Sequence, residues 1–331
     1  MHIAIHGLGR MGRLFLRAAC ARGLDPVAAT EPKGTPATLA LGLEFDSVQG
    51  RWDRPVVATA RGLQIGDHEL ALHQDANALP WREHAIDLVV DCSGKAKARD
   101  HAARHLAAGA RRVLVSNPVP GVPNLVFGVN DRDCDFAREA IVTAASCTTN
   151  CLAPIVRVLH DAIGIERGLV TTVHDPTNTQ GVVDRADADP RRARSALVNL
   201  IPTTTNSATA VTLIVPELRG RLDSIAVRAP VLNASLTDCS LQMRRATTVD
   251  EVNGALRAAA ESGPLVGVLG YETRPLVSSD FARDPRSAIV DAGCTRVVDD
   301  SLVKVMAWYD NEWGYVNRMV DLALRIAATT G

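Results

Sequence analysis

The sequence predicts an α/β protein of two domains: a doubly wound, mostly parallel sheet first, then an α+β domain with a mixed or antiparallel sheet. Three observations carry this. The chain has 331 residues, a length suited to about two domains. Its first half alternates short apolar runs with segments of helical period, and Ile86 to Cys92 is apolar enough to be buried on both faces, as in parallel sheets. Its second half carries longer strand-like runs, Ser235 to Met243 and Val303 to Tyr309 among them.

Composition bounds the function classes. Hydrophobic residues make up 47 % and charged residues 22 %, the mixture of a soluble globular chain. A formal net charge of −1 calls for neither nucleic acid nor an anionic membrane as partner. No apolar run reaches the ~18 residues of a membrane span. Met1 to Ile5 lacks the charged start and apolar core of a signal peptide, so the expected location is the cytoplasm. The seven cysteines (20, 92, 134, 147, 151, 239, 294) are odd in number and scattered, with no paired CxxC or Cys/His set. Neither a disulfide framework nor a metal site is expected.

In chain order, residues 2–6 read as a strand. Gly7-Leu8-Gly9-Arg10-Met11-Gly12 follows, and Leu14, Phe15 and Ala18 then fall on a helical period. In this strand–turn–helix setting the glycines permit a tight turn and close approach of a pyrophosphate to the helix N-terminus, as in a Rossmann-type dinucleotide domain. A second strand, Pro26 to Ala29, precedes Glu31, about twenty residues beyond the glycines. A carboxylate there accepts hydrogen bonds from a ribose, which favours NAD over NADP; Lys33 nearby softens that preference. Leu39 to Asp46 reads as helix, residues 55–73 as short hairpin strands, and His101 to Ala108 as a helix closed by Gly109. His101 and His105 share one helix face without a third ligand and are expected to be solvated. Strands at Ile86–Cys92 (ending at Ser93-Gly94), Val113–Val115 (ending at Ser116-Asn117-Pro118), Leu125–Val129 and Ala140–Ala144 complete the first sheet.

The run Ser146-Cys147-Thr148-Thr149-Asn150-Cys151 lies between that last strand and the periodic residues Leu152, Ile155, Val156 and Leu159. Cys147 is therefore expected at a helix start, where unpaired amides favour a thiolate and can accept a developing oxyanion. Thr149 or Asn150 is expected to cap the helix and Pro154 to sit in its first turn. The strand Leu169 to Val173 delivers His174, a residue type able to take the thiol proton. Thr177 to Pro190 reads as a long exposed loop. Arg191-Arg192-Ala193-Arg194 lies between Thr177 and Thr179 on one side and Thr203, Thr204 and Thr205 on the other, with Arg228 further on; converging, they would suit phosphate-like anions. Further strands are expected at Ile225–Val227, Ser235–Met243 and Val303–Tyr309, and helices at Val249–Ala260 and Val316–Ala327. Asn311 is placed to hold a carboxamide or to form a turn.

Together these stretches resemble phosphorylating glyceraldehyde-3-phosphate dehydrogenase over essentially the whole chain. The motifs stand in order: IHGLGRMGR at 5–13, EFDSVQG at 44–50, ASCTTNCLAP at 145–154, TTVH at 171–174, RRAR at 191–194, IPTTT at 201–205, VRAP at 227–230 and WYDNEWGY at 308–315. The resemblance implies a dinucleotide-binding domain at 1–146, completed by the C-terminal helix 314–331, and a catalytic domain at 147–313. It implies Cys147 as nucleophile and His174 as base. Ser146, Thr148, Thr177, Arg192, Thr205 and Arg228 would meet substrate and inorganic phosphate. Gly7, Gly9, Arg10, Met11, Gly12, Glu31, Ser93, Ser116 and Asn311 would meet the cofactor. It further implies glyceraldehyde 3-phosphate as substrate and a homotetramer.

The chain also departs from the usual pattern. Asp175-Pro176 follows His174, where a small residue and an aromatic are usual; Asn206 stands in place of a glycine at the anion site; Thr30-Glu31 replaces Asn-Asp; Gln74 replaces an arginine; Arg185-Ala186 replaces Leu-Pro. Arg185 keeps NADP as an alternative cofactor. The HDxTNTQ run at 174–180, with LTDC at 236–239, is similar to an arsenate-resistance-associated subgroup, in which arsenate takes the acyl group to give 1-arseno-3-phosphoglycerate. The other readings are an erythrose-4-phosphate dehydrogenase and a catalytically silent dinucleotide-binding protein.

Overall fold

A computed structural model describes every residue except Ala76, Asn178, Thr179, Thr330 and Gly331, so the hydroxyl of Thr179 lies outside the described residues. Contacts divide the chain into two compact units, residues 1–146 with 316–331, and residues 147–315.

In the first unit the elements run β1 (Ile3–His6), α1 (Arg10–Ala21), β2 (Ala28–Thr30), α2 (Pro36–Glu44), β3 (Val56–Ala58), β4 (Gly62–Ile65), β5 (His68–His73), β6 (Leu88–Asp91), α3 (Arg99–Ala107), β7 (Arg112–Val115) and β8 (Ile141–Thr143). Among the described residues they form an eight-stranded sheet in the order β3-β4-β5-β2-β1-β6-β7-β8. Strands β5 through β8 in that order pair in parallel, and β3 and β4 add an antiparallel edge. The central β1 and β6 are buried along their whole length, which is why they read as unbroken apolar runs. Leu125 to Val129 is not a strand: Asn124 bridges Thr143 and Leu125 N–H donates to the Thr143 carbonyl, but the pairing stops there and residues 127–130 are turns. Asn130 accounts for this, since its side chain accepts from Val126 N–H and donates to Asn124 C=O, taking the groups a ladder would use.

The second unit runs α4 (Cys147–Ala162), β9 (Ile165–His174), β10 (Ile201–Thr204), α5 (Ser207–Ile214), β11 (Leu222–Arg228), β12 (Ser235–Met243), α6 (Val249–Glu261), β13 (Leu269–Glu272), β14 (Ala288–Val298) and β15 (Leu302–Tyr309), before α7 (Trp313–Ala328). Among the described residues the sheet has seven strands in the order β10-β11-β9-β12-β15-β14-β13. It is mixed: β9 runs parallel to β11 and β13 to β14, and the remaining pairs are antiparallel. β12 alternates buried and half-buried side chains along its length, as expected when one sheet face is covered. Register positions the chemistry. His174 pairs opposite Arg228, and Ser235 opposite Tyr309, so four polar side chains gather at one end of the sheet.

Helix α4 starts at Cys147, so Thr149 and Asn150 lie in its first turn rather than capping it, and Pro154 sits inside the helix rather than in that turn. His105 departs from the solvated position expected of it: it is fully buried, whereas His101 is exposed.

Candidate active site

Cys147 is the first residue of α4, two residues past the end of the turn that leaves β8. Ala145 in that turn has φ 54, a left-handed conformation costly for a residue with a Cβ. Around the thiol, Sγ is 3.7 Å from His174 Nε2 and 3.9 Å from Thr148 Oγ1. Thr148 Oγ1 in turn is 3.0 Å from the hydroxyl of Tyr309, whose ring stands edge-on to His174 with centroids 6.0 Å apart. Both Tyr309 and His174 are buried.

The electrostatics make this thiol unlike its neighbours. Burial opposes ionisation of Cys147, but the hydrogen bond and charge of His174, with the Thr148 hydroxyl, bring its pKa below the ordinary thiol value. Burial likewise opposes charge on His174. The Asp175 carboxylate and the Cys147 sulfur prevail and raise it to about 9. The two shifts run in the directions that favour a thiolate facing an imidazolium. One turn along the same helix, burial lifts Cys151 to about 12, leaving an inert thiol.

On the other side of the His174 ring, Nδ1 lies 2.7 Å from Asp175 Oδ1, 2.8 Å from Asp175 C=O and 2.6 Å from Arg228 Nη1. Asp175 was not foreseen as a site residue; its only sequence signal was the acid immediately after His174. Tyr309 and Ser235 were also missed, having read as core strand residues. Ser235 Oγ donates to Asn311 Oδ1 at 3.1 Å and accepts from Asp175 N–H, so it ties Asn311 to this end of the sheet.

The anion-site residues are only partly gathered. Arg228 carries a buried Nε with no hydrogen-bond partner, and burial together with the charge of Arg192 pulls its pKa down. Two guanidiniums in each other's field suit an anion. Arg192 donates to Thr203 Oγ1 at 2.9 and 3.1 Å, rather than to Thr205, which bonds Ser207 Oγ instead. Thr177 donates to Gln180 Oε1, and Asn206 is exposed at the start of α5 without a side-chain cap bond.

In the first unit the glycine turn fits a dinucleotide. Gly7 has φ 95, and a Cβ on Gly12 would collide with Gly7 C=O. A Cβ on Gly9 would meet nothing within 4 Å, although Gly9 is the N-cap of α1 and has no side-chain cap bond. The space beside Gly9 at the start of α1 is therefore open, as close approach of a pyrophosphate requires. Arg10 pairs with Asp46; Glu31, just past β2, is buried and accepts from Lys33 N–H at 3.0 Å. Met11 follows in the first turn of α1, and Ser116 closes β7 with its N–H on Asp91 C=O. Ser93 donates through N–H and Oγ to Asp91 Oδ1 at 2.9 and 2.6 Å.

Asp91 belongs to a buried group with His6 and His105, whose ligand-type atoms lie within 4.8 Å of one another. The protons argue against a metal there. Trp81 donates to His105 Nδ1 at 3.0 Å, which puts the ring proton on Nε2, facing Asp91 Oδ2 at 3.2 Å. His6 Nε2 is engaged by Arg104 at 2.6 Å and its Nδ1 by Thr30 Oγ1 at 2.5 Å.

Comparison with known proteins agrees with both ends of this description. The family model for the NAD binding domain of glyceraldehyde 3-phosphate dehydrogenase matches residues 1–99, and that for its C-terminal domain matches residues 146–311. The chain is 50 % identical to glyceraldehyde-3-phosphate dehydrogenase 3 of a Nostoc species, covering 99 % of this chain and 98 % of that one. It is 48 % identical to glyceraldehyde-3-phosphate dehydrogenase of Pseudomonas aeruginosa with the same coverage, and 44 % identical to glyceraldehyde-3-phosphate dehydrogenase 2 of Bacillus subtilis over 98 % of this chain and 96 % of that one.

Proposed function

The chain belongs to the glyceraldehyde-3-phosphate dehydrogenase family, as an NAD-dependent oxidoreductase, and we propose that it oxidises glyceraldehyde 3-phosphate through a thioester on Cys147. The observation that carries this reading is the 3.7 Å contact between a thiol of lowered pKa and a histidine raised to about 9.

The protons balance as follows. The Cys147 thiolate adds to the aldehyde carbon. The imidazolium of His174 gives its Nε2 proton to the new oxygen, leaving a hemithioacetal and a neutral ring. The amides at the start of α4 stabilise the developing oxygen charge. Gly7, Gly9, Arg10, Met11, Gly12, Glu31, Ser93 and Ser116 would hold NAD at the glycine turn, with Asn311 a further proposed cofactor contact, and the bound cofactor would supply the hydride acceptor. His174 takes back the hydroxyl proton as the carbon is oxidised, so the thioester forms opposite an imidazolium. An inorganic oxyanion then attacks the thioester, and the thiolate leaves into the field of His174, restoring the starting pair.

Arg192, Arg228 and the hydroxyls of Thr148, Thr177 and Thr205, with Ser146 and Asn206, are the groups proposed to hold the substrate phosphate and the attacking oxyanion. Phosphate gives 1,3-bisphosphoglycerate. Arsenate, of near-identical shape and charge, gives 1-arseno-3-phosphoglycerate. The anion-site departure Asn206 is exposed and without a cap bond, which leaves its amide available to that oxyanion.

A homotetramer is proposed on the apolar surface of the second unit. Val182, Val183, Leu197, Val198 and Leu200 in the loop before β10 are all exposed, Val198 by 78 %, a pattern that marks a surface covered by another subunit. No helix among the described residues is long and apolar enough to cross a membrane, and the proposed location is the cytoplasm.

The test is cofactor reduction with glyceraldehyde 3-phosphate in phosphate, in arsenate and in neither, using NAD and NADP. Steady turnover with NAD that requires one of the two anions supports the reading. Equal turnover in Cys147→Ser would overturn it.

A further inference from the structure

His174 Nδ1 has more suitors than it can serve. A ring nitrogen either carries a proton and donates, or presents a lone pair and accepts. Arg228 Nη1, 2.6 Å away, is a donor and demands the lone pair. The carboxylate of Asp175 at 2.7 Å and its own carbonyl at 2.8 Å demand the proton. The Oδ1 contact is close but bent, a charge contact rather than an aligned hydrogen bond, since Oδ1 has no partner of hydrogen-bond geometry.

The two arrangements differ at the other nitrogen. If Arg228 holds Nδ1 as an acceptor, the neutral ring must keep its proton on Nε2 and can take no proton from Cys147 or from a substrate hydroxyl. If Asp175 holds a proton on Nδ1, Nε2 is free to alternate between acid and base. Asp175 is buried and follows His174 directly at the end of β9, so it cannot swing away without moving the strand end. Arg228 can give up Nδ1 more readily: its Nη1 has a second acceptor in the Asp175 carbonyl at 3.0 Å, its guanidinium pairs with no carboxylate among the described residues, and its buried Nε lacks a partner. The other titratable groups facing the ring are Cys147 from α4 and Tyr309 from β15.

We infer that Asp175 is a positioning residue, whose carboxylate holds a proton on His174 Nδ1 against the competing guanidinium of Arg228 and so keeps Nε2 available to Cys147. The inference rests on His174 being the base. It deepens that reading by naming what sets the ring's tautomer.

The test is the titration of His174, followed by ¹⁵N NMR of histidine-labelled full-length protein and assigned with His174→Asn. In the unaltered protein both ring nitrogens are expected to carry protons at pH 8, where an ordinary histidine is neutral; a neutral ring there overturns the inference without any variant. Asp175→Asn is expected to lower the His174 midpoint by a unit or more, at least a tenfold fall in the ratio of doubly protonated to neutral ring at a given pH, and to lower kcat about ten- to hundredfold, part of what a positioned acid–base supplies. An unchanged midpoint overturns the inference and leaves the reaction reading standing. Arg228→Ala is expected to raise the midpoint more in the Asp175→Asn background than alone; strict additivity contradicts the competition. Full turnover in His174→Asn would instead overturn the reaction reading itself.

Discussion

Two buried histidine–carboxylate clusters, one in each unit, are built from the same groups and behave in opposite ways. In the first unit Trp81, His105, Asp91 and Ser93 form a chain in which each donor has one acceptor, and Arg104 and Thr30 engage the two nitrogens of His6. Burial wins at His6, pushing it down to about 4, while hydrogen bonds from His105 and Ser93 with the charge of His6 hold Asp91 near 2 against its own burial. In the second unit His174 faces an ionisable sulfur, and carboxylate and guanidinium contend for its far nitrogen. The result is a histidine raised to about 9. A buried histidine is structural when its hydrogen bonds have one solution. At His174 they have two, and one of its partners, Cys147, can exchange a proton with it.

The largest break in that comparison is chemical. Cys147→Ser or His174→Asn should lower kcat by about 10³-fold or more, because each removes a group that bonds to or protonates the reacting atoms. Steady-state kinetics on folded protein checks this, with circular dichroism confirming the fold.

The corresponding change in the first unit should appear in stability. His105→Ala removes the partner of the Trp81 N–H and of Asp91 Oδ2, both buried, and should cost about 2–4 kcal/mol. Urea unfolding measures it, and a loss below the scatter of the extrapolation would mean that water replaces the ring.

The pH windows should also oppose one another. The folded pKa of His6 is lowered from 6.5 to about 4, so its contribution is complete above pH 6.5 and is lost as pH falls toward 4, on the order of 3 kcal/mol. The His174 value is raised, so its contribution is complete below pH 6.5 and is lost as pH rises toward 9. His6→Asn should flatten the acid limb of a stability profile while leaving the alkaline limb, and thermal melts across pH 4–9 would show it.

The smallest effect lies at the cofactor. Glu31→Gln should raise the KM for NAD by about three- to tenfold with little change in kcat, since a ribose contact contributes to binding before and after the chemical step. An equal fall in kcat would contradict that placement.

Much of this was legible in residue order. The glycine turn at 7–12 and the cysteine at a strand–helix junction follow from local rules, and both sheets show their class in how their strands are patterned. What local rules could not reach is long-range partnership. His105 looks like any helix-surface histidine until Trp81, 24 residues away, and Asp91 enclose it. Strand β10 was obscured by Pro202, which cannot donate to a ladder; the position tolerates it because β10 is the edge of its sheet. Helix α5 was hidden by its Ser, Thr and Ala residues, which give a weak apolar stripe. Asp175 was visible as a departure, but its meaning depended on register, because only the pairing of β9 with β11 sets Arg228 opposite His174.

The central claim is that Cys147, and not its neighbour Cys151, carries the acyl group. Rapid mixing of enzyme, NAD and glyceraldehyde 3-phosphate without phosphate or arsenate, followed by acid quench and peptide mass spectrometry, tests it directly. One reduced cofactor per subunit, with a 3-phosphoglyceroyl group on the peptide at Cys147, is the predicted result. No burst from enzyme that turns over once phosphate is added, or an acyl group on any other residue, would contradict it.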